Sequence, residues 1–203
     1  MAVWIQNQTL GLANIIHSGG MVMGPLIALS LVMWLLILER TLFFRRLYRK
    51  NMGSRMAITH IRDGRIPDPG QYRGAVSLLV TEFIRTRTGN PKLDRHLLDA
   101  SVSRINRRMT KFLALISVLA AMAPLLGLLG TVTGMITTFD VLATFGTGNA
   151  KAMAGGISEA LITTQTGLIV AIPGLYMKGF LERRATNLQQ RISRVGLYLR
   201  RHL

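Results

Sequence analysis

"GGISEALITTQTGLIVAIPGLYM", Gly155 to Met177, is an apolar run interrupted by one carboxylate, Glu159, and then by Thr163, Thr164, Gln165 and Thr166. A helix rises about 1.5 Å per residue and ~20 residues cross the ~30 Å hydrocarbon core of a bilayer, so the run can span a membrane. An ionised side chain inside a span costs about 2.5–3.5 kcal/mol or more unless it faces protein or water. Glu159 is therefore a candidate for an ion or proton path. Lys151 stands only eight positions earlier, so a hydrated boundary position, with snorkelling or a structural hydrogen bond, is the other reading.

Two further charge-free runs flank the same argument: Met21 to Leu38, 18 residues, and Phe112 to Phe139, 28 residues. A chain of 203 residues has no room for a soluble core that encloses three such runs. The expected fold is all-α, a polytopic membrane protein with three spans and long cytoplasmic helical extensions. The second run exceeds what a bilayer needs, so it projects or tilts. The boundaries read as a segment over 1–20, span one over 21–44, a cytoplasmic helical region over 45–111, span two over 112–140, a periplasmic loop over 141–154, span three over 155–177 and a cytoplasmic C-terminal helix over 178–203. All of it reads as a single domain, 1–203.

Charge orients these spans. Of 25 Lys and Arg, none precedes the first run, 17 lie from Arg40 to Lys111, Lys151 alone separates runs two and three, and seven follow the third. Positive residues are retained on the cytoplasmic side. The N-terminus is thus expected outside, and the large first loop and C-terminus inside, in a bacterial inner membrane. The net charge of +16 and isoelectric point near 11.7 are explained by orientation and by attraction to anionic phospholipid, so nucleic acid is not an expected partner. Residues 1–20 hold no Lys or Arg and hence no positive start of a signal peptide, while Arg40, Arg45 and Arg46 follow span one like a stop-transfer anchor.

Trp4 to His17 reads as an interfacial piece ahead of a break at Ser18 to Gly20. "DGRIPDPGQ", Asp63 to Gln71, breaks helices, and "TGNP", Thr88 to Pro91, divides two helical stretches. Leu93, Leu97, Ser101, Ile105, Met109 and Phe112 recur every three or four positions and predict one uninterrupted helix from the loop into span two. Leu188, Ile192, Val195 and Leu199 form a second stripe among solvated arginines, to pack on the loop helices. There is no cysteine, no phosphate-binding loop, zinc motif or nucleophile elbow, and the four His are scattered. No metal, cofactor or catalytic residue is expected, so the chain does not read as an enzyme. Any work it does draws on another energy source.

In span two, Gly127, Gly130, Thr131, Gly134 and Thr138 form a strip of low bulk that suits close helix packing or a pore, with Pro124 loosening the backbone at its start. In span three, at about 100° per residue, Glu159, Thr163 and Thr166 point within about 40° of one direction. Thr164 is turned about 140° away and shares a face with Ala160, Gly167 and Ala171. Two small or polar faces suit a helix bundled on both sides, or one between a neighbour and a lumen.

"APLLGLLGTVTGM", Ala123 to Met135, together with "GGISEALITTQTGLIVAIPG", Gly155 to Gly174, resembles the ExbB/TolQ/MotA family of proton-channel motor proteins, in its ExbB/TolQ branch. The likeness in topology extends over essentially the whole chain. It implies a homopentamer whose second and third spans line a lumen, holding two copies of an ExbD- or TolR-like single-span partner that contributes a membrane aspartate. It also implies that ion-motive force drives rotation or rocking of that partner, which passes force to a TonB- or TolA-like protein. By motif position the family's pore threonines are Thr131 and Thr164, its span-three glutamate is Glu159 and its span-three proline is Pro173. Better-known members read "ATAIG" where this chain reads "TTQTG", which adds Thr163, Gln165 and Thr166. Those groups leave both H+ and Na+ open as the transported ion. A structural scaffold and a flagellar-type stator are the alternatives; a secondary transporter lacks the paired half-repeats it needs.

Overall fold

The computed structural model describes residues 19–48, 52–68, 70–72 and 74–202. These residues form helices joined by short connections, with no strand among them. The helices are α1 (Gly20–Tyr48), α2 (Ser54–Arg62), α3 (Ala75–Thr86), α4 (Pro91–Thr110), α5 (Leu113–Phe145) and α6 (Ala150–His202). A 3-10 turn, Gly146–Gly148, links α5 to α6, and Asn149 starts α6 by accepting the Ala152 N–H at 3.1 Å on Oδ1. The chain is therefore all-α with three helices long and apolar enough to cross a membrane. The expected interfacial piece at Trp4 to His17, Ser18 of the first break and Pro69 of the loop lie outside the described residues.

Chain contacts divide the protein into two compact units. One joins the start of α1, to Leu36, with Leu115–Lys178 of α5 and α6. Here Leu29, Ala123 and Ala171 form the centre, with Leu119, Leu126 and Val170 around it. Lipid is as apolar as leucine, so close packing rather than water exclusion holds such helices together. Gly174 marks one point of close approach: a Cβ there would lie 2.6 Å from Met33 Sδ and 3.2 Å from Ala120 Cβ. In the apolar window of each candidate span only 28–33% of residues are buried within the chain. Lipid or further chains must cover the remainder, including Leu31, Leu35, Leu125, Leu161 and Ile172, each more than 60% exposed.

The other unit comprises Ile37–Ala114 and Gly179 onward. It carries charged outer faces, and its buried side chains include Phe44, Leu79, Phe83, Leu98, Ile105, Met109, Leu181, Leu188 and Ile192. Each such side chain contributes about 1.5–3 kcal/mol on burial. Polar contacts fix the pairing of α4 with α6: the Gln189 amide donates to Asn106 O at 3.0 Å, and Arg200 pairs with Asp99 at 3.3 Å.

The α4 stripe is shifted from the expected one. Asp94, Leu98, Ser101, Ile105 and Met109 are its buried residues, whereas Leu93 is 47% exposed and Leu97 is half-buried. The reason is Asp94, whose carboxylate organises the Thr88–Pro91 break. It accepts from Thr88 N at 2.9 Å, Thr88 Oγ1 at 3.1 Å, Gly89 N at 3.2 Å and Arg87 Nε at 3.2 Å. Burial pushes this carboxyl up, but the bonds from Thr88, Arg87 and Gly89 outweigh it and the net shift is downward. A depressed folded-state pKa means stability that is present above the unfolded value of about 3.9 and lost as pH falls through the folded one. Asp94→Asn is expected to cost about 1.5–3 kcal/mol at neutral pH. In thermal melts of the detergent-solubilised protein, the gap between variant and parent should close below pH ~4.

The single helix expected to run from the loop into span two is corrected by the structure. α4 ends at Thr110 and α5 begins at Leu113, with Phe112 at φ +66° between them. No Gly or Pro announces this break. It is stabilised from elsewhere in the sequence: Arg40, 3% exposed, donates from NH1 to Arg108 O at 3.2 Å, a carbonyl that an unbroken helix would offer to the Phe112 N–H. The Arg40 guanidinium also lies 4.9 Å from the Phe112 ring and 3.1 Å from Glu39 Oε2. Charge-assisted bonding and a cation–π contact, about 1–2 kcal/mol each when desolvated, together offset the strain of an aromatic residue at positive φ.

Candidate functional site

The candidate site lies on α5 and α6, in the unit that contains the centre of the spans. Small residues bring these helices to backbone contact. A Cβ on Gly134 would stand 2.7 Å from Gly156 O and 2.8 Å from Ala160 N; one on Gly167 would stand 2.8 Å from Ala123 O; one on Gly127 would stand 3.1 Å from Thr163 O. A Cβ on Gly130 would collide with the Thr163 side chain. All four glycines of the sequence-predicted set are thus occupied by helix packing within the chain.

The hydroxyls are anchored on backbone. Thr138 donates to Gly134 O at 3.0 Å, Thr163 to Glu159 O and Ala160 O at 3.0 Å, Thr166 to Ile162 O at 2.8 Å and Thr131 to Leu128 O at 2.6 Å. Such return bonds satisfy a hydroxyl where no water is available. Thr164 is different: its hydroxyl lies 3.2 Å from Ala160 O and 3.2 Å from Gly127 O, so it shares its proton between its own helix and α5.

The facing of span three differs from the expected division. Gly156, Ala160, Thr163, Gly167, Ala171 and Gly174 are the buried stripe. Thr163, grouped in the sequence reading with Glu159 and Thr166, lies in the middle of this stripe and is fully buried. It and Thr138, at 5% exposure, are packing residues within this chain, because the glycines opposite leave space that only their side chains fill. Glu159 and Thr166 border one side of the stripe and Thr164 the other, all three half-buried, as is Thr131 on α5. Gln165 points away from the stripe and is exposed. Pro124 and Pro173 sit inside continuous helices, neither of which breaks there.

Glu159 meets a residue that periodicity could not pair with it. Its carboxylate rests against Gly20, at the first turn of α1, so closely that a Cβ on Gly20 would overlap it. Gly20 has φ +62°, a left-handed conformation that glycine adopts without strain. The break before span one therefore makes room for the acidic group of span three. The N-terminal end of a helix carries partial positive charge, which favours a carboxylate there. Among the described residues no cation pairs with Glu159.

Two close-approach positions were missed in the sequence: Gly20, read only as a helix break, and Gly156, whose place in a small-residue repeat with Ala160 and Gly167 was the available signal. Chemically, the arrangement offers one carboxylate and a set of hydroxyls along two apolar helices, groups that hold and exchange protons or coordinate a small cation. Three apolar helices carrying such groups define a multi-pass membrane protein of the channel or transport-subunit class.

Comparison with known proteins agrees. A profile of the MotA/TolQ/ExbB proton channel family matches residues 73–194. The chain is 34% identical over 176 residues to the putative biopolymer transport protein ExbB-like 1 of Synechocystis sp., spanning 81% of this chain and 68% of that one. It is 27% identical over 197 residues to ExbB-like 3 of the same organism, spanning 91% and 93%. To the biopolymer transport protein ExbB of Aquifex aeolicus it is 40% identical over 84 residues, 41% of this chain and 57% of the other. The chain belongs to the MotA/TolQ/ExbB proton channel family.

Proposed function

We propose that this chain is the channel-forming subunit of an inner-membrane motor. With a single-span ExbD- or TolR-like partner it converts ion-motive force into motion of a TonB- or TolA-like protein, energising outer-membrane transport or envelope maintenance. The observation that carries this reading is Glu159: a half-buried carboxylate in a span, without a countercharge among the described residues, beside helices whose hydroxyls are held in fixed positions. A membrane field supplies ~2.3 kcal/mol per elementary charge per 100 mV, enough to bias small cyclic rearrangements when charges pass repeatedly.

Thr131 and Thr164 would face the partner's acidic group and offer neutral hydroxyls as it gains and loses a proton. Thr164 suits this role because its proton already has two acceptors. Glu159 would tune the end of the path nearest Gly20, and Gln165, Thr166 and the exposed apolar faces would meet neighbouring copies, a pentamer in the proposed arrangement. H+ is the proposed ion, with Na+ as the competitor that flux measurements separate.

The test is co-expression with a single-span ExbD- or TolR-like protein and reconstitution in vesicles loaded with a pH dye. Glu159→Gln and Thr164→Val are each expected to lower ion-coupled activity by at least about tenfold, as losing ~1.4 kcal/mol from the rate-limiting step would do, while the complex still purifies intact. If both variants kept full flux and full energised output, the chain would be a scaffold. The consumption of Gly127, Gly130, Gly134 and Gly167 in packing is the observation that favours that second reading.

A further inference from the structure

Where span one ends, the second unit holds a cavity of about 450 Å³ between α3 and the last turns of α1. Its apolar wall includes Phe43, Leu47, Ile66 and Leu78, and Arg46 and Arg85 stand at its edge. Both arginines are exposed, and among the described residues neither forms an ion pair. Three other arginines of this unit are paired: Arg87 with Asp94, Arg104 with Glu82 and Arg200 with Asp99. Glu82, the acid of α3, is thus already committed to Arg104 at 2.6 Å. The cavity presents two uncompensated positive charges over an apolar floor.

Its height along α1 decides what such a site meets. A crossing of ~20 residues that begins at Met21 ends near Arg40, so Phe43 lies about 5 Å further on, within the headgroup layer. A soluble anion needs no apolar floor, and a neutral lipid needs no unpaired arginines. We propose that this cavity binds one anionic phospholipid, its phosphate held by Arg46 and Arg85 and its glycerol and upper acyl chains against Phe43, Leu47 and Ile66. Ile66, 54% exposed in the chain alone, is covered by that lipid. This site is independent of the ion path, because none of its residues lies on the paired faces of α5 and α6.

Native mass spectrometry of the full chain, released from micelles containing phosphatidylglycerol or phosphatidylcholine, reads the proposal directly. The parent should retain phosphatidylglycerol over phosphatidylcholine on the order of tenfold, as two arginines near a phosphate predict. Arg46→Gln/Arg85→Gln should bring the ratio close to one. Arg191→Gln/Arg194→Gln removes the same charge beside a second cavity, about 21 Å beyond Met177 along α6 and out of reach of a bilayer, and should leave the preference unchanged. Thr81→Trp fills the cavity without altering charge and should lower retention of both lipids. An unchanged preference in Arg46→Gln/Arg85→Gln, an equal fall in Arg191→Gln/Arg194→Gln, unaltered retention in Thr81→Trp, or displacement of the lipid by equimolar inorganic phosphate would each overturn the assignment.

Discussion

Gly156→Ala is expected to destabilise the protein by about 3 kcal/mol, and Gly155→Ala to leave it unchanged or stabilise it by up to ~1 kcal/mol. The two glycines are neighbours on one helix and differ only in what they face. A Cβ on Gly155 meets nothing within 4 Å, whereas on Gly156 it meets Gly134 O at 2.8 Å, Thr138 N at 3.1 Å and the Thr138 hydroxyl closer still. Backbone atoms cannot rotate aside, so α5 and α6 would have to part, and every contact from Gly127 to Thr138 would loosen with them. Thermal melts in one detergent, with tryptophan fluorescence as the readout, compare the pair. Equal melting temperatures would show that the helices are not in backbone contact.

The second large effect is predicted at Gly20. Gly20→Ala places an L side chain at φ +62°, which costs roughly 1–2 kcal/mol by itself, and drives it into the Glu159 carboxylate. The combined loss should reach about 3 kcal/mol, and ion-coupled activity should fall because Glu159 is displaced. Truncating the acid removes the collision but not the backbone strain. Gly20→Ala/Glu159→Ala is therefore expected to be more stable than Gly20→Ala alone, with a coupling of about 1–2 kcal/mol in a double-mutant cycle. Strict additivity would mean that the two residues do not touch.

The same pair shows where the sequence stopped being legible. Glu159 stands out in the sequence because a carboxylate in an apolar run is expensive whatever surrounds it. Gly20 does not, because a glycine ahead of a helix is ordinary. Their contact joins positions 139 residues apart, a distance over which no periodicity operates. Arg40 and Phe112 repeat the lesson: the hydrophobic stripe runs through the α4–α5 junction without a breaker, and only a guanidinium supplied by α1 makes the interruption stable. Asp94 shifted the α4 face for a similar reason, since four donors from a neighbouring turn made burying a carboxylate cheaper than burying Leu93.

What the sequence determined alone was the number of spans, their helical state and the family. In lipid every backbone N–H and C=O must be satisfied by protein, and outside a closed barrel only a helix does so within one segment. Charge-free runs of ~20 residues therefore read as helices from composition alone. Tertiary structure decided which side of each helix is used. Thr163 and Thr138 became packing residues while Thr131, Thr164 and Thr166 kept partial exposure, although all five are threonines at helical spacing. In an apolar solvent the choice between faces rests on shape, on where a glycine opposite leaves a gap that a hydroxyl and a methyl can fill, and shape complementarity exists only once two helices have met.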